Sequence, residues 1–427
     1  MRDLVFVSLE RWDEVWRRNQ FLCAQWLRRF PRMRLLFVEP ARDLSHAFRS
    51  GRFEHLRKSA DEHVAEFPGL TIFRPLKLCP NSLALGRVCN QALLRFQIQA
   101  AMRRAAVRSP ILWINDHFAG SLCGSLGERG VIYDITDDWR QFPSTSAAER
   151  VRVEEADRLL CARADAVVVC SEALEKSRRA LCRRMVRIPN AVDAAHYARC
   201  VESSHGRNPA DRCAAPVFGY AGTLHGDRLA VDLLVHLASE FPHGQVVLCG
   251  PDHLSAEERK VLQTRSNIQI RPPVPYSRMP DLLSEFDVFL VPHRQTPFTE
   301  SLNPIKLWEY LAAGKPIAAT PVAGFRDYAH LCHLGQGPAE FVSACHAALA
   351  EGSRLQRERI RVAEAHSWEN RAEDALDLFR QEGWIGAPMR RNRLREKRRV
   401  SLAGGLRRVF WRETRTCTAG EEARGMG

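Results

Sequence analysis

Short apolar runs rich in β-branched residues recur through both halves of the chain: LVFVS (4–8), LLFVE (35–39), ILWIN (111–115), VIYDI (131–135) and AVVVC (166–170), then VFGYAG (217–222), VVLCG (246–250), VFLVP (288–292) and PIAAT (316–320). Each is bounded by turn or polar residues and leads into a stretch with helical spacing. That alternation predicts βαβ units whose parallel strands are buried on both faces. Two such series predict an α/β protein of two domains with a cleft between them.

Between the two series lies a break at residues 198–215, small and polar, with Gly206, Pro209 and no apolar period. It reads as a linker between an N-terminal domain (1–197) and a C-terminal domain (216–365). Residues 370–380 (NRAEDALDLFR) set Ala372, Leu376 and Phe379 on one helical face, which predicts a last helix within 366–387. From residue 388 on, the chain has little to bury and reads as a mobile basic tail or a surface-binding element.

The 427 residues are 45% hydrophobic and 26% charged, the composition of a globular protein. Every apolar run is far shorter than the ~20 residues needed to cross a bilayer. The start, MRDLVFVSLERWDEVW, reads as a first strand and not as a signal peptide, so a cytoplasmic protein is expected. Thirteen cysteines, an odd number without paired metal spacing, fit a reducing compartment; no zinc site is expected. The net charge of +13 is concentrated in residues 390–415, where eleven Arg and Lys face two Glu. An anionic membrane surface is the expected partner of that tail, through lipid phosphates, and nucleic acid is not.

Residues 303–314 (NPIKLWEYLAAG) carry the clearest chemistry. Asn303 is expected as N-cap, with Pro304 at the first helical position and Gly314 ending the helix. A helix starting just after the strand VFLVP aims free amides and a partial positive charge at the strand ends, where they favour a phosphate, and Lys306 adds a full charge. Glu309, three residues on, is placed to accept hydrogen bonds from ribose hydroxyls. A solvated helix with an i, i+3 ion pair is the alternative reading of the same residues.

The run P-x-K-x-x-E-Y-L-A-A-G-K-P-x-x-A-T at 304–320 resembles the donor-binding signature of GT-B-type glycosyltransferases, in particular the large retaining family that builds polysaccharides and glycolipids. The resemblance implies a GT-B fold of two Rossmann-like domains facing across a cleft, with an acceptor-side N-terminal domain. It implies transfer of a sugar from a nucleotide-sugar donor to a glycan or lipid-linked acceptor, with retention and without a cofactor or a metal ion. Lys306 would contact the donor diphosphate and act in catalysis, and Glu309 would hold the ribose. The family's second Glu falls at Ser301, with Glu300 one residue out of register.

FGYAGTLHGDRLAVDLLVHLASEFP (218–242) resembles the opening of the family's C-terminal domain and adds Gly222, Thr223, His225 and Arg228 to the donor-binding set with Asn303. Gly222 has no Cβ to keep a phosphate away. Asp287 reads as structural. At the end of ILWIN, His117 is the candidate for a catalytic histidine near the transferred sugar. VIYDITDDWRQF (131–142) resembles a segment found in a subset of these enzymes, making Asp137, Asp138 and Trp139 acceptor-side candidates. The passage RIPNAVD (187–193) and HSW (366–368) also match, with Ala191 in place of a usual Gly and Trp368 as a packing anchor, and the final helix is expected to cross back onto the N-terminal domain. The usual Gly-rich first loop is replaced by Ser8-Leu9-Glu10-Arg11-Trp12, continuing to Trp16-Arg17-Arg18-Asn19-Gln20, which predicts a bulkier, more cationic acceptor pocket. The alternatives are a GT-B-type nucleotide-sugar epimerase and a membrane-surface or nucleic-acid binding protein acting through its tail.

Overall fold

Two stacks of parallel strands carry the chain. The first runs β1 (Asp3–Val7), β2 (Arg34–Val38), β3 (Asp61–Val64), β4 (Phe67–Phe73), β5 (Ile111–Ile114), β6 (Gly130–Ile135), β7 (Ala166–Val169) and β8 (Met185–Arg187), in the spatial order β8-β7-β6-β5-β1-β2-β4-β3. All neighbours are parallel except the edge pair β3 and β4. The second comprises β9 (Val217–Ala221), β10 (Gln245–Cys249), β11 (Ile268–Arg271), β12 (Val288–Val291), β13 (Ile317–Ala319) and β14 (His333–Leu334), ordered β11-β10-β9-β12-β13-β14 and wholly parallel. The apolar runs of the sequence are these strands, and Val5, Leu36, Leu112, Val247 and Leu290 are fully buried within them.

This computed structural model describes residues 1–45, 60–203 and 214–386. Met1–Trp384 form one compact unit. The expected basic tail lies outside the described residues. Of the expected linker, residues 204–213 also lie outside them, whereas Ala198–Ser203 is helical. Tyr197 and Cys200 there are buried in the core of the second sheet with Phe289 and Leu311, so the chain has joined the second half before the break.

The principal helices are α1 (Arg18–Arg29), α2 (Ala84–Arg104), α3 (Ala147–Arg163), α4 (Val231–Glu240), α5 (Ile305–Ala313), α6 (Gly337–Glu351), α7 (Gln356–Glu364) and α8 (Trp368–Gln381). Ser367 caps α8 by accepting from Asn370 N–H at 3.2 Å, and the helix returns to the first half. Trp368 stacks on Phe21 of α1 at 4.8 Å, and Trp26 Nε1 donates to the Ala372 carbonyl at 3.2 Å.

A polar relay joins the two halves at the cleft. Asp134, at the end of β6 and wholly buried, takes Arg18 through Nε at 3.1 Å and Nη2 at 3.2 Å. Arg18 Nη1 also donates to Asn190 Oδ1 at 3.2 Å. Asn190 in turn pairs with Asn303: its N–H donates to Asn303 Oδ1 at 2.8 Å and its Nδ2 to the Asn303 carbonyl at 2.5 Å. Removing one member of a buried ion pair leaves the other charge unpaired, at a cost of about 3–5 kcal/mol. Arg18→Ala is therefore expected to lose about that much stability in urea unfolding, and a loss below about 1 kcal/mol would show the relay to be dispensable.

Candidate active site

A cleft of about 590 Å³ opens where the strand ends of both sheets meet. Its wall includes Gly222, Thr223, His225, Arg228, Asn303, Lys306 and Glu309 from the second half and Asp137 and Trp139 from the first. His117 and Asp138 are not in that wall.

The lysine side is built by local geometry. Asn303 is not the N-cap of α5. Pro304 occupies that position without a side-chain cap, because the Asn303 side chain is engaged by Asn190. The first amides of α5 are left open beside the cleft, with the partial positive charge of a helix start. Gly314, at φ +75°, closes the helix. Lys306 reaches back over Tyr220, its Nζ 4.8 Å from the ring centroid, and among the described residues it makes no hydrogen bond or ion pair. Gly222 lies directly beneath it with φ +145°; a Cβ there would stand 1.9 Å from Lys306 Nζ. Arg228 stacks on Phe298 at 5.0 Å and likewise has no ion pair among the described residues. Two cations and a row of amides thus face one volume.

Glu309 accepts a 2.8 Å hydrogen bond from the buried Tyr197 hydroxyl. Burial raises its pKa, while that hydrogen bond and Lys306 pull it back. One carboxylate oxygen is held and the group stays in the cleft wall, the disposition needed to accept from a ligand's hydroxyls. Beside it, Tyr276 stacks on His196 at 4.1 Å and on Trp16 at 5.7 Å, giving an aromatic shelf.

The acidic pair of the first half diverges. Asp138 turns inward: Arg178 Nη2 and Nη1 donate to its oxygens at 2.7 and 2.9 Å and Arg140 adds two more bonds, which hold its pKa down at about 2. It therefore braces the first domain and does not reach an acceptor. Asp137 enters the cleft, where burial raises its pKa and Arg228 opposes the rise. Among the described residues no group of three or more His, Cys, Asp or Glu is placed to hold a metal ion. His117 is buried, its ring 6.5 Å from Trp139, and burial lowers its pKa with Asp116 opposing. Asp116 itself accepts from Phe118 N–H. Glu300 pairs with Arg326, away from the cleft, and Ser301 is buried. Asp287 accepts from Val217 N–H at the start of β9. Ala191 adopts no positive φ: among the described residues only the non-glycines Ala106 and Ser109 do.

The first loop corrects the expectation of a cationic acceptor pocket. Arg18 is neutralised by Asp134, and Arg17 lies between Asp13 at 3.2 Å and Glu10 at 3.6 Å. With Trp16 and these paired arginines, the loop adds the carboxylate of Glu10 to the cleft. Burial pushes its carboxyl up to about 7; Arg17 opposes the rise, and Asp137 and Asp13 add to it. His293, fully enclosed near Tyr220, is held neutral by burial and by the charges of Lys306 and Arg228. Neither Glu10 nor His293 has a signal in the sequence, because each depends on which strand ends become neighbours.

A fold of two parallel Rossmann-like sheets with an anion-receptive helix start in the cleft between them defines the GT-B class. Residues 215–351 match the family model described as Glycosyl transferases group 1. The solved sucrose-phosphate synthase of Thermosynechococcus elongatus superimposes with a TM-score of 0.67 at 16% identity, covering 89% of this chain and 99% of that one. Anabaena HepE in complex with UDP and glucose gives 0.63 at 13% identity, covering 89% and 100%. Among curated proteins, the putative teichuronic acid biosynthesis glycosyltransferase TuaH of Bacillus subtilis (strain 168) is 24% identical over 255 residues, 56% of this chain. The match spans 64% of that relative's length. The chain has the GT-B fold, and its residues 215–351 are similar to the glycosyl transferases group 1 family.

Two tests follow from this geometry. Because the folded-state pKa of Glu10 lies near 7, above its ordinary 4.5, the folded form disfavours the ionised carboxylate, and stability falls as pH rises from about 4.5 through 7. Glu10→Gln is expected to raise stability at pH 8 and to change nothing at pH 4. The side chain is 36% exposed, so solvent screening limits the gain to about 1 kcal/mol or less. Thermal melts at the two pH values check this, and an equal shift at both would contradict it. Gly222→Ala puts a side chain into a left-handed conformation and is expected to cost about 1–3 kcal/mol. The added methyl also displaces Lys306, so anion affinity should fall together with stability.

Proposed function

We propose that this protein is a glycosyltransferase that moves a sugar from a nucleoside diphosphate sugar to a glycan or lipid-linked acceptor, with retention of anomeric configuration, in polysaccharide or glycolipid synthesis. The observation that carries this reading is Lys306, free of any ion pair among the described residues, poised over Gly222 at the uncapped start of α5. The diphosphate would lie against the amides of α5 and the loop at Gly222 and Thr223, with Lys306 and Arg228 as its cations and His225 and Asn303 at its edges. Glu309 would accept from the ribose hydroxyls one helical turn away.

When the glycosyl–phosphate bond breaks, negative charge grows on the leaving diphosphate. Cations and amides already in place stabilise that charge more than the bound ground state, which lowers the barrier. Fixed cations do the work a divalent ion would do, so activity should persist in EDTA. Asp137 and Trp139 form the acceptor side of the same cleft. Retention rests on the resemblance of residues 304–320, and the anomeric coupling of the product by NMR tests it. Binding of the basic tail, outside the described residues, to an anionic surface belongs to the same reading.

A second reading is favoured by one observation: Glu10 and Asp137 bring two carboxylates into the cleft, as a nucleotide-sugar epimerase would require. Incubation with donor and no acceptor separates the two, because an epimerase changes the sugar while a transferase releases nucleoside diphosphate only slowly. For the donor site, calorimetry against a panel of UDP-, GDP- and TDP-sugars is decisive. Lys306→Ala should weaken the best ligand about 10–100-fold, the 1.5–3 kcal/mol of a charged hydrogen bond. Glu309→Ala should weaken the nucleotide as well, and parent-like binding by both variants would displace the site.

A further inference from the structure

Nine large apolar side chains stand exposed among the described residues, and five of them fall within residues 78–96: Leu78, Leu83, Leu85, Val88 and Phe96. The last three lie on α2. Spacings of three and eight residues, at 100° per residue, put Leu85, Val88 and Phe96 on one stripe, with Ala92 between them. The side chains that α2 buries, Ile98, Ala101 and Met102, lie on the opposite face and near its C-terminal end. The helix is therefore apolar on two faces. One packs against the first sheet, and the other has no partner among the described residues.

The position of the open face follows from the hydrogen bonds of the segment before the helix. Gln97 brackets Leu76 through the Leu76 N–H at 2.9 Å and the Leu76 carbonyl at 2.8 Å. Asn90 holds Leu78 and Cys79 in the same way. Residues 76–83 thus run back along the helix, so that its first half projects beyond the end of β4. β1, β2, β4 and β6 run in the same direction, and the C-terminal ends of β1 and β6 on this edge lead to Glu10 and Asp137. The unpartnered stripe therefore stands on the same edge of the sheet as the acceptor side of the cleft.

Charge identifies the occupant. The 21 residues of α2 include Arg87, Arg95, Arg103 and Arg104 and no Asp or Glu. Arg104 pairs with Asp61, but Arg95 and Arg103, which flank or continue the stripe, have no ion pair among the described residues. A helix of about 30 Å with an exposed apolar stripe, cationic edges and no carboxylate fits the boundary between headgroups and acyl chains. It does not fit the middle of a bilayer: among the described residues no helix is long and apolar enough to cross one. We propose that the projecting half of α2, with Leu78 and Leu83 beside it, is a docking surface for an anionic bilayer. Leu85, Val88 and Phe96 enter the interface, and Arg95 and Arg103 meet lipid phosphates. The bilayer is then at the acceptor edge of the cleft, where an acceptor carried on a lipid would be presented. The docking surface stands independently of the donor site.

The test is co-sedimentation of the full chain with phosphatidylcholine vesicles, with and without phosphatidylglycerol. The parent should bind the anionic vesicles, and a Leu85→Ser, Val88→Ser, Phe96→Ser variant should bind at least tenfold more weakly. Arg95→Glu with Arg103→Glu should also lose binding, and only the anionic vesicles should show the difference. The replaced side chains are exposed, so an unchanged thermal melt and unchanged nucleotide binding would confirm that the variants are folded. Parent-like vesicle binding by the serine variant overturns the proposal. This includes the case in which a chain ending at Pro388 loses binding, because the tail alone is then the anchor. A parent that ignores vesicles but forms a dimer, which the serine variant makes monomeric, also overturns it, because a second copy is then the occupant.

Discussion

The double hydrogen bond that Asn190 donates to Asn303, with Arg18 and Asp134 behind it, is the contact on which the cleft depends. It ties the end of β6, the start of α1 and the turn after β8 to the residue that precedes α5. Because Asn303 is used in this way it cannot cap α5, and the helix start keeps its open amides for the cleft. One buried polar relay thus fixes how the halves meet and leaves the amides at the start of α5 open to the cleft. Such a relay is costly to break but specific in geometry, since Asp134 is held by both Arg18 and Trp113 and Arg18 also reaches Pro189 and Asn190.

Around that contact the cleft is electrically divided. The second half contributes Lys306, Arg228 and helix amides, and the first contributes Glu10 and Asp137 with their pKa values raised by burial. The cationic wall favours a diphosphate, while the carboxylates repel a second anion and suit hydroxyl groups. A neutral His293 between Lys306 and Arg228 keeps the positive wall from becoming crowded with a third charge. The arrangement separates a region suited to anions from a region suited to hydroxyl groups by charge alone. The unpartnered stripe of α2 extends the same edge outward as an apolar and cationic surface.

Much of the fold was legible in the chain because its determinants are local. A parallel strand buried on both faces needs a continuous apolar run, and α5 holds Lys306 and Glu309 one turn apart wherever the helix is placed. Gly222 was legible for a related reason: its left-handed φ is a demand of one residue's backbone. The helix-spaced apolar positions at Ala372, Leu376 and Phe379 likewise predict a buried face on α8, whatever that face packs against.

Tertiary structure alone decided which neighbours in sequence point the same way. Asp137 and Asp138 are adjacent, yet one enters the cleft and the other is consumed by Arg178, because successive residues leaving a strand face opposite sides. Arg18 looked like a cation for a ligand until Asp134, 116 residues away, neutralised it. Glu10, His293 and Tyr276 acquire meaning only when ends of strands distant in the chain become neighbours, and the open face of α2 is visible only once its buried face has been assigned. Sequence determined the elements and the residues whose chemistry is carried within a single turn. Direction, pairing and burial, which depend on contacts far apart in the chain, were decided by the fold.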